Sequence, residues 1–237
     1  SPHQQYPDIG FLRQIKEGKL PRELLKSECG VYKVTNFDEL MYSWVQHPEM
    51  LKMAKCFAGG DIKSLHHMYI NKPPDANATA IHPLHQDMAY FPWTQGTRTI
   101  GAWTALAQVN TQNGCIVVIP GSHKRGLLDH TVPNWMQNAG FHSVAEVADV
   151  QNLNEIQKAR LPLLAAELGP GDTLFFSPYL IHGSGVNRTD KCRKSIVCHY
   201  ASATSRYTAD RFEPAQDFIS QEVMVSLKRV GNTAQHS

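Results

Sequence analysis

The order of the predicted elements constrains the fold more strongly than any other feature of this sequence. Apolar residues recur at helical spacing in residues 37–45 and 50–57, and Gly59-Gly60-Asp61 ends the second helix. Short apolar or alternating segments bounded by tight turns follow, which is typical of β-strands. Strands and helices do not alternate regularly and no G-x-G-x-x-G motif is present, which argues against a dinucleotide-binding fold. The sequence therefore predicts a mainly β protein with flanking helices, arranged as an antiparallel barrel or jelly-roll.

Five segments are predicted to be strands of this barrel. They are residues 63–70, 98–109, 115–119, 173–176 and 195–201. The second segment alternates, with Ile100 and Ala102 on one face and Gly101 and Trp103 on the other. We interpret the polar residues 128–165 as a long insertion, which in a compact domain usually forms a lid or a binding loop.

The whole chain is predicted to form a single domain over residues 1–237. It is divided into a helical N-terminal part at about 1–57, a β core at about 58–202 and a C-terminal tail at about 203–237, with the insertion inside the core. No targeting segment is visible at either end of the sequence.

Composition and charge exclude several classes of protein. Hydrophobic residues make up 42% of the chain and charged residues 19%, which excludes intrinsic disorder. The longest apolar run spans residues 115–119, whereas a membrane helix needs about 20 apolar residues. Lys and Arg number 23 against 21 Asp and Glu, and this near balance argues against a nucleic-acid binder. The five cysteines form neither a C-x-x-C motif nor a dense framework, so we expect a reducing compartment.

A candidate metal site lies in the segment His82-Pro83-Leu84-His85-Gln86-Asp87. Residues i and i+2 of an extended chain point to the same face, so His85 and Asp87 can converge on one ion. His182, which is 95 residues beyond Asp87, is the candidate third ligand. Two histidines and one carboxylate on one face of a metal form the facial triad of non-haem Fe(II) oxygenases. Two alternatives remain open: purely structural roles for these side chains, and a zinc hydrolase, although no H-E-x-x-H motif is present.

An anion site is predicted beside this metal. Arg193 lies eleven residues after His182. If the chain turns at residues 186–190, Arg193 begins the neighbouring antiparallel strand, level with the metal. Its guanidinium can then hold the distal carboxylate of a dicarboxylate such as 2-oxoglutarate, and Ser184 can donate its hydroxyl beside it.

The other histidines carry no such prediction. His123 follows a Pro-Gly-Ser turn and is interpreted as structural. His130, His142 and His199 have no carboxylate partner at ligand spacing in the sequence.

Seven strings of this sequence are far more specific than a bare H-x-D. They are Asn71-Lys72-Pro73-Pro74-Asp75, His82-Pro83-Leu84-His85-Gln86-Asp87, Tyr90-Phe91-Pro92, Ala102-Trp103-Thr104-Ala105, Asn113-Gly114-Cys115, Pro120-Gly121-Ser122-His123 and Leu180-Ile181-His182-Gly183-Ser184-Gly185. These strings resemble the phytanoyl-CoA dioxygenase family, which 2-hydroxylates phytanoyl-CoA, and the resemblance runs from about Lys33 to about Ser202.

The resemblance implies a double-stranded β-helix that uses Fe(II), 2-oxoglutarate as cosubstrate and dioxygen, with ascorbate as a candidate reductant. It makes His85, Asp87 and His182 the iron ligands, and Arg193 and Ser184 the clamp on the distal carboxylate of 2-oxoglutarate. The further residues that it implies around the cosubstrate are Lys33, Met68, Gln86 and Trp103.

The resemblance also implies a substrate, a branched fatty acyl-CoA such as phytanoyl-CoA that is hydroxylated at C2 in fatty acid α-oxidation. Because Asp87 keeps its carboxylate, hydroxylation is expected rather than halogenation. Lys72, Lys124 and Arg125 are candidates to bind the phosphates of CoA at the pocket mouth. The implied location is the peroxisome, or otherwise the cytoplasm.

Two alternative functions are carried forward. The first is an oxygenase of the same chemistry that acts on a different small metabolite. The second is a non-catalytic, cupin-like module that binds metal or 2-oxoglutarate. The intact triad and Arg193 argue against the second. The oligomeric state is not predicted.

Overall fold

Two antiparallel sheets form the framework of the protein. The computed structural model describes residues 17–19, 30–33, 39–74, 81–91, 94–134, 143–148 and 162–206. Its helices are α1 (Glu39–Val45) and α2 (Pro48–Ala58). Its strands are β1 (Gly30–Lys33), β2 (Ile62–Lys72), β3 (His82–His85), β4 (Thr99–Ala105), β5 (Ile116–Val118), β6 (His130–Thr131), β7 (Ser143–Val144), β8 (Leu164–Ala166), β9 (Thr173–Phe176), β10 (His182–Ser184) and β11 (Arg193–Ser202).

The strands are shared unequally between the sheets. The larger sheet has the order β1-β2-β11-β4-β9 and the smaller one the order β3-β10-β5-β8. A short separate pairing joins β6 to β7. The predicted mainly β architecture with flanking helices is therefore confirmed. No helix among the described residues is long and apolar enough to cross a membrane.

The larger sheet packs on both of its faces. On its inner face, Trp103 and Val197 belong to a core cluster that includes Ile116 of the smaller sheet. On its outer face, Ile100 and Tyr200 pack in a second cluster with residues of α1 and α2. The alternation predicted for β4 is thus present, and it places Trp103 between the sheets while the helices cover the opposite face.

The N-terminal part departs from its predicted helical character at β1. This strand pairs with the edge of β2, and Lys33 lies directly opposite Met68. A strand of four residues has no helical or alternating pattern long enough to read, and its pairing with β2 is a tertiary effect. The predicted insertion contains β6 and β7, but residues 135–142 and 149–161 lie outside the described residues, as do residues 207–237 of the predicted tail.

The predicted neighbour of Arg193 is wrong. Arg193 begins β11, which pairs with β2 and β4 in the larger sheet, whereas His182 begins β10 in the smaller sheet. The chain crosses from one sheet to the other between the two residues instead of making a hairpin.

Cys192, just before Arg193, is disulfide-bonded, which differs from the expectation of a reducing compartment.

Candidate metal centre

Two short elements bring His85, Asp87 and His182 together. His85 is the last residue of β3 and lies directly opposite His182, the first residue of β10. Asp87 begins a 3-10 turn after Gln86, whose extended backbone (φ −115°, ψ 129°) returns Asp87 to the side of His85. All three residues are buried, and their ligand atoms lie within 4.8 Å of one another. The two-residue spacing therefore predicted the convergence of His85 and Asp87, and the fold brings the candidate third ligand, His182, to the same place.

The backbone sets the orientation of both imidazoles. Nδ1 of His85 lies 2.8 Å from the carbonyl oxygen of Pro83, and Nδ1 of His182 lies 2.9 Å from that of Leu180. A carbonyl oxygen only accepts hydrogen bonds, so each Nδ1 carries the proton and each Nε2 presents its lone pair. This is the tautomer that a metal-binding histidine needs.

The two imidazoles differ in how readily they take up a second proton. Burial, and then the charge of His182, lower the pKa of His85 and favour its neutral ring. For His182 burial also lowers the pKa, but the charge and hydrogen bond of Asp87, together with the hydrogen bond to Leu180, outweigh burial and raise the pKa above its ordinary value. A metal at this site therefore competes with a proton mainly at His182.

The carboxylate of Asp87 divides its two oxygens between different partners. Oδ1 lies 3.3 Å from Nε2 of His85 and 3.5 Å from Nε2 of His182. Oδ2 lies 2.8 Å from Nε2 of His199. Burial raises the pKa of Asp87, but the charges and hydrogen bonds of His182 and His199 outweigh burial and hold it well below its usual range. Because this carboxylate is ionised, Nε2 of His199 is the donor to Oδ2, which leaves Oδ1 for a metal.

His199 is a site residue that the sequence analysis missed. The sequence shows no carboxylate at ligand spacing from His199. The fold nevertheless brings it to Asp87, from which 112 residues separate it along the chain. His199 lies on β11 with the same inward phase as Arg193 and Val197. That phase is the only signal in the sequence, because spacing along the chain does not show which strands are neighbours.

The donor set fits an iron ion. Two imidazole nitrogens and one carboxylate oxygen face a common point, with edges of 3.3 and 3.5 Å from the oxygen to the nitrogens. Neighbouring ligands at right angles around a metal with bonds of about 2.1 Å are about 3 Å apart, so only small shifts are needed. The set matches the two-histidine, one-carboxylate triad of non-haem Fe(II) enzymes.

A buried cation lies at the opposite end of the inner face. The side chain of Arg193 is 3% exposed, and its guanidinium carbon is 5.0 Å from the centre of the Trp103 ring. Nη1 donates to Oγ of Ser195 at 2.7 Å, whereas Nε has no hydrogen-bond partner among the described residues. Burial lowers the pKa of Arg193 to about 10, so the group stays charged at neutral pH. The arrangement is suited to a buried anion.

Lys72 lies in this buried region and not at the pocket mouth, where it was predicted. Its side chain is 5% exposed, and Nζ donates to Oγ of Ser184 at 3.1 Å. It lies directly opposite Arg193 in the pairing of β2 with β11. The prediction failed because lysines are usually exposed, and only the fold shows that β2 carries this one inward.

Comparison with known proteins identifies the family. The family model described as "Phytanoyl-CoA dioxygenase (PhyH)" matches residues 26–195. The chain belongs to this family. The peroxisomal phytanoyl-CoA dioxygenase of Homo sapiens is 42% identical over 207 residues, which are 85% of this chain and 58% of the human protein. The probable phytanoyl-CoA dioxygenase of Caenorhabditis elegans is 34% identical over 215 residues, with 87% and 66% covered. The chain thus spans about three fifths of the human relative's length.

Solved structures agree on the architecture. The epimerase SnoN, solved with Fe3+, alpha ketoglutarate and nogalamycin RO, is 23% identical with a TM-score of 0.61. The match covers 88% of this chain and 78% of that one. The fold is therefore the double-stranded β-helix of 2-oxoglutarate oxygenases. With the triad geometry and the family, it makes iron and 2-oxoglutarate the cofactors that this site fits.

Gln86, another residue expected around the cosubstrate, is fully buried and bonded at every position of its side chain. Nε2 donates to the carbonyl oxygens of Gly126 (2.8 Å) and Tyr179 (2.6 Å), and Oε1 accepts from the N–H of Leu128 (2.8 Å). Its backbone N–H donates to Nε2 of His130 at 3.1 Å, a contact that the sequence did not reveal. Gln86 therefore fastens the segment 126–128 to the strand that carries His85.

Met68 and Lys33, the other expected cosubstrate residues, lie on adjacent strands. Met68 packs against the inner core cluster that contains Trp103. Lys33 pairs with Met68 across β1 and β2. Both positions are therefore on the part of the larger sheet that also carries Arg193.

Met88, the residue that follows Asp87 in the chain, is among the residues that line a cavity of about 510 Å³. Its lining comes mostly from turns and loops and includes Lys124 and Tyr179. Arg125 is exposed and forms a two-pronged ion pair with Glu146. Of the three basic residues predicted at a pocket mouth, only Lys124 therefore lines the cavity. It forms no ion pair with any of the described residues.

Proposed function

We propose that this protein is an Fe(II)- and 2-oxoglutarate-dependent dioxygenase that hydroxylates C2 of a branched fatty acyl-CoA such as phytanoyl-CoA. The observation that carries the proposal is the buried triad of His85, Asp87 and His182, with both imidazoles in the metal-binding tautomer. Membership of the phytanoyl-CoA dioxygenase family supports the reaction class. The identity of 42% to the human enzyme supports the substrate class.

The triad and His199 have different tasks in this proposal. When bound, iron and 2-oxoglutarate supply the oxidation: with dioxygen, the cosubstrate is converted to succinate and CO2 and one oxygen atom enters a substrate C–H bond. His85, Asp87 and His182 would hold the iron through two nitrogens and one oxygen. The hydrogen bond from His199 engages Oδ2 of Asp87, so that Oδ1 would be the oxygen that binds the iron. The protein thereby fixes the coordination, and the oxidising power belongs to the cofactors.

The cosubstrate is proposed to lie between the triad and Arg193. The guanidinium of Arg193 holds the distal carboxylate in a fork, and the hydroxyl of Ser184 donates beside it. Trp103 covers the guanidinium and excludes water from it. The remaining residues proposed around the cosubstrate are Lys33, Met68 and Gln86, of which Gln86 acts through the backbone that it fastens.

The substrate is proposed to enter through the cavity at Met88. A cavity of about 510 Å³ falls within the usual range for small-molecule sites, about 300–1,000 Å³. Lys124 on its lining supplies a positive charge for a phosphate of CoA. The peroxisome is the proposed location because the human relative is named as peroxisomal.

A two-stage experiment tests the proposal. Anaerobic protein is mixed with Fe(II) and 2-oxoglutarate, and we expect a visible charge-transfer band that the Asp87→Ala variant lacks. Phytanoyl-CoA is then added in air, and succinate and 2-hydroxyphytanoyl-CoA are measured by mass spectrometry. We expect equal amounts of the two products.

The other outcomes assign the alternatives. Succinate that forms without stimulation by any acyl-CoA would indicate an oxygenase for a different metabolite. A charge-transfer band without any turnover of 2-oxoglutarate would indicate a binding module and would contradict the proposal.

A further inference from the structure

We propose that Lys72 joins Arg193 in binding the distal carboxylate of the cosubstrate. Together the two cations select 2-oxoacids that carry such a carboxylate. The inference rests on the proposed cosubstrate site at Arg193. It adds a residue that sets the selectivity of that site, and it places two positive charges and one hydroxyl around a single anion.

The strand register brings the two cations together. Lys72 and Arg193 are direct partners in the antiparallel pairing of β2 with β11, where the Cβ atoms of opposed residues lie about 4.5–5.5 Å apart. Met68 and Ile70 pack against the inner core cluster, so Lys72, two residues further along β2, also points inward. Both charged side chains are therefore buried on one face, where the Arg193 guanidinium lies over the ring of Trp103.

Ser184 joins the second cation to the smaller sheet. Its Oγ accepts a hydrogen bond from Nζ of Lys72 at 3.1 Å. An oxygen that accepts from an ammonium has its own O–H left to donate. Lys72 thus occupies the oxygen of Ser184 as an acceptor and leaves the hydroxyl proton to be donated to an anion.

The surrounding backbone holds the lysine in place before any ligand arrives. Nδ2 of Asn187 donates to the carbonyl oxygen of Lys72 at 3.2 Å. Gly114 lies so close that a Cβ there would be 2.8 Å from Cε of Lys72, and its φ of +76° favours glycine. A long side chain normally loses rotamer freedom on binding, and this packing removes that cost in advance.

Electrostatics favours an anion between the two groups. Two positive charges buried on the same face of a sheet repel each other, because the protein interior screens charges less than water does. A carboxylate placed between them converts the repulsion into two attractions. A dicarboxylate cosubstrate supplies such a group at its distal end, whereas a 2-oxoacid that ends in a methyl group does not.

The test compares two cosubstrates that differ only at the distal group. Binding of 2-oxoglutarate and of 2-oxopentanoate, in which a methyl group replaces the distal carboxylate, is measured by calorimetry on Mn(II)-loaded protein. For Lys72→Met we expect the Kd of 2-oxoglutarate to rise about 30-fold or more, as for loss of a buried charge partner. The Kd of 2-oxopentanoate should change less than about twofold. Lys194→Met, an exposed lysine of the same strand pair, should change neither.

The outcomes separate this inference from the function on which it rests. If Arg193→Met weakens 2-oxoglutarate selectively but Lys72→Met does not, Lys72 is not part of the anion site and the inference is wrong. If neither variant discriminates between the two oxoacids, the proposed cosubstrate site itself is wrong. Equal weakening of both oxoacids by Lys72→Met would indicate a purely structural role.

A measurement on the unaltered protein covers the case in which Lys72→Met does not fold. Protein labelled with 15N-lysine and loaded with Zn(II) is titrated with each oxoacid, and the ammonium signals are followed by NMR. Because Lys33 is also proposed to lie around the cosubstrate, its signal is assigned by its loss in Lys33→Arg. A slowly exchanging, buried ammonium other than that of Lys33 should shift with 2-oxoglutarate and not with 2-oxopentanoate. No such shift, or a shift of the Lys33 ammonium alone, would overturn the inference.

Discussion

Two regions of the protein are built in different ways: the triad together with the Arg193–Lys72 region, and the cavity at Met88 that is proposed to admit the substrate. The triad and the Arg193–Lys72 region lie on paired strands or directly beside them, and their charged groups are buried and held by fixed partners. The cavity at Met88 is lined mostly by turns and loops, and Lys124 on its lining is exposed. Strands hold geometry, whereas loops vary without disturbing the scaffold. The chemistry of the family is therefore expected to lie in the first region and the choice of substrate in the second.

The first and largest prediction concerns Asp87→Ala. This change removes the only carboxylate of the triad and leaves two imidazoles to hold the metal. We expect hydroxylation to fall below detection and Fe(II) affinity to fall more than the roughly 10–100-fold typical of losing an outer-sphere partner. Asp190→Ala, at an exposed turn, is the control and should behave as the unaltered protein. Near-normal turnover by Asp87→Ala would refute the ligand assignment.

The second prediction tests whether His199 acts through Asp87. His199→Phe keeps a ring beside Phe91 but removes the donor to Oδ2, so Asp87 is no longer held in one orientation. We expect Mn(II) affinity, measured by calorimetry, to fall roughly 10–100-fold.

The controls for His199 separate positioning from packing. His199→Gln places an amide nitrogen where Nε2 was and should restore most of the affinity. His67→Phe removes a buried imidazole from the neighbouring strand β2 and should leave metal binding unchanged. Failure of the Gln variant to restore affinity, with a stable fold, would contradict the positioning role.

The third prediction concerns Gln86, which joins the end of β3 to the segment 126–128 beside the cavity. Gln86→Leu removes three side-chain hydrogen bonds and leaves the polar groups of Gly126, Tyr179 and Leu128 to find other partners. We expect the free energy of unfolding to fall by about 3 kcal/mol in denaturant titration. Gln108→Leu, at an exposed position, should change it by less than about 0.5 kcal/mol. Equal stabilities of the two variants would show that Gln86 does not fasten the segment 126–128.

The fourth and smallest prediction compares neighbouring basic residues at the cavity. Lys124→Ala should raise KM for an acyl-CoA about threefold, with a weaker salt dependence, because an exposed charge contributes little. Arg125→Ala should leave KM unchanged, because that side chain is already engaged by Glu146. Kinetics at two ionic strengths measure both effects. A larger effect at Arg125 than at Lys124 would place the CoA phosphates elsewhere.

The sequence predicted the components of the site better than their arrangement. Periodicity located both helices and five of the strands, β2, β4, β5, β9 and β11, but not β3 and β10, which carry the two histidines of the triad. The two-residue spacing of His85 and Asp87 predicted the convergence of these two residues. Period-two alternation shows which face a residue occupies but not which strand lies beside it. For that reason the contact of His199 with Asp87 was missed and Arg193 was placed beside the wrong strand. Lys72 was misplaced because the usual exposure of lysine was the only guide.

A single strand, β11, carries both Arg193 and His199 on its inner face, six residues apart. That separation corresponds to about 20 Å of backbone, so the length of the strand fixes how far the anion site lies from the metal site. Inserting or deleting one residue would turn one of the two outward, because successive side chains alternate. Relatives that use a longer or shorter oxoacid are therefore expected to differ in the length of their end side chains, while the length of the strand stays constant.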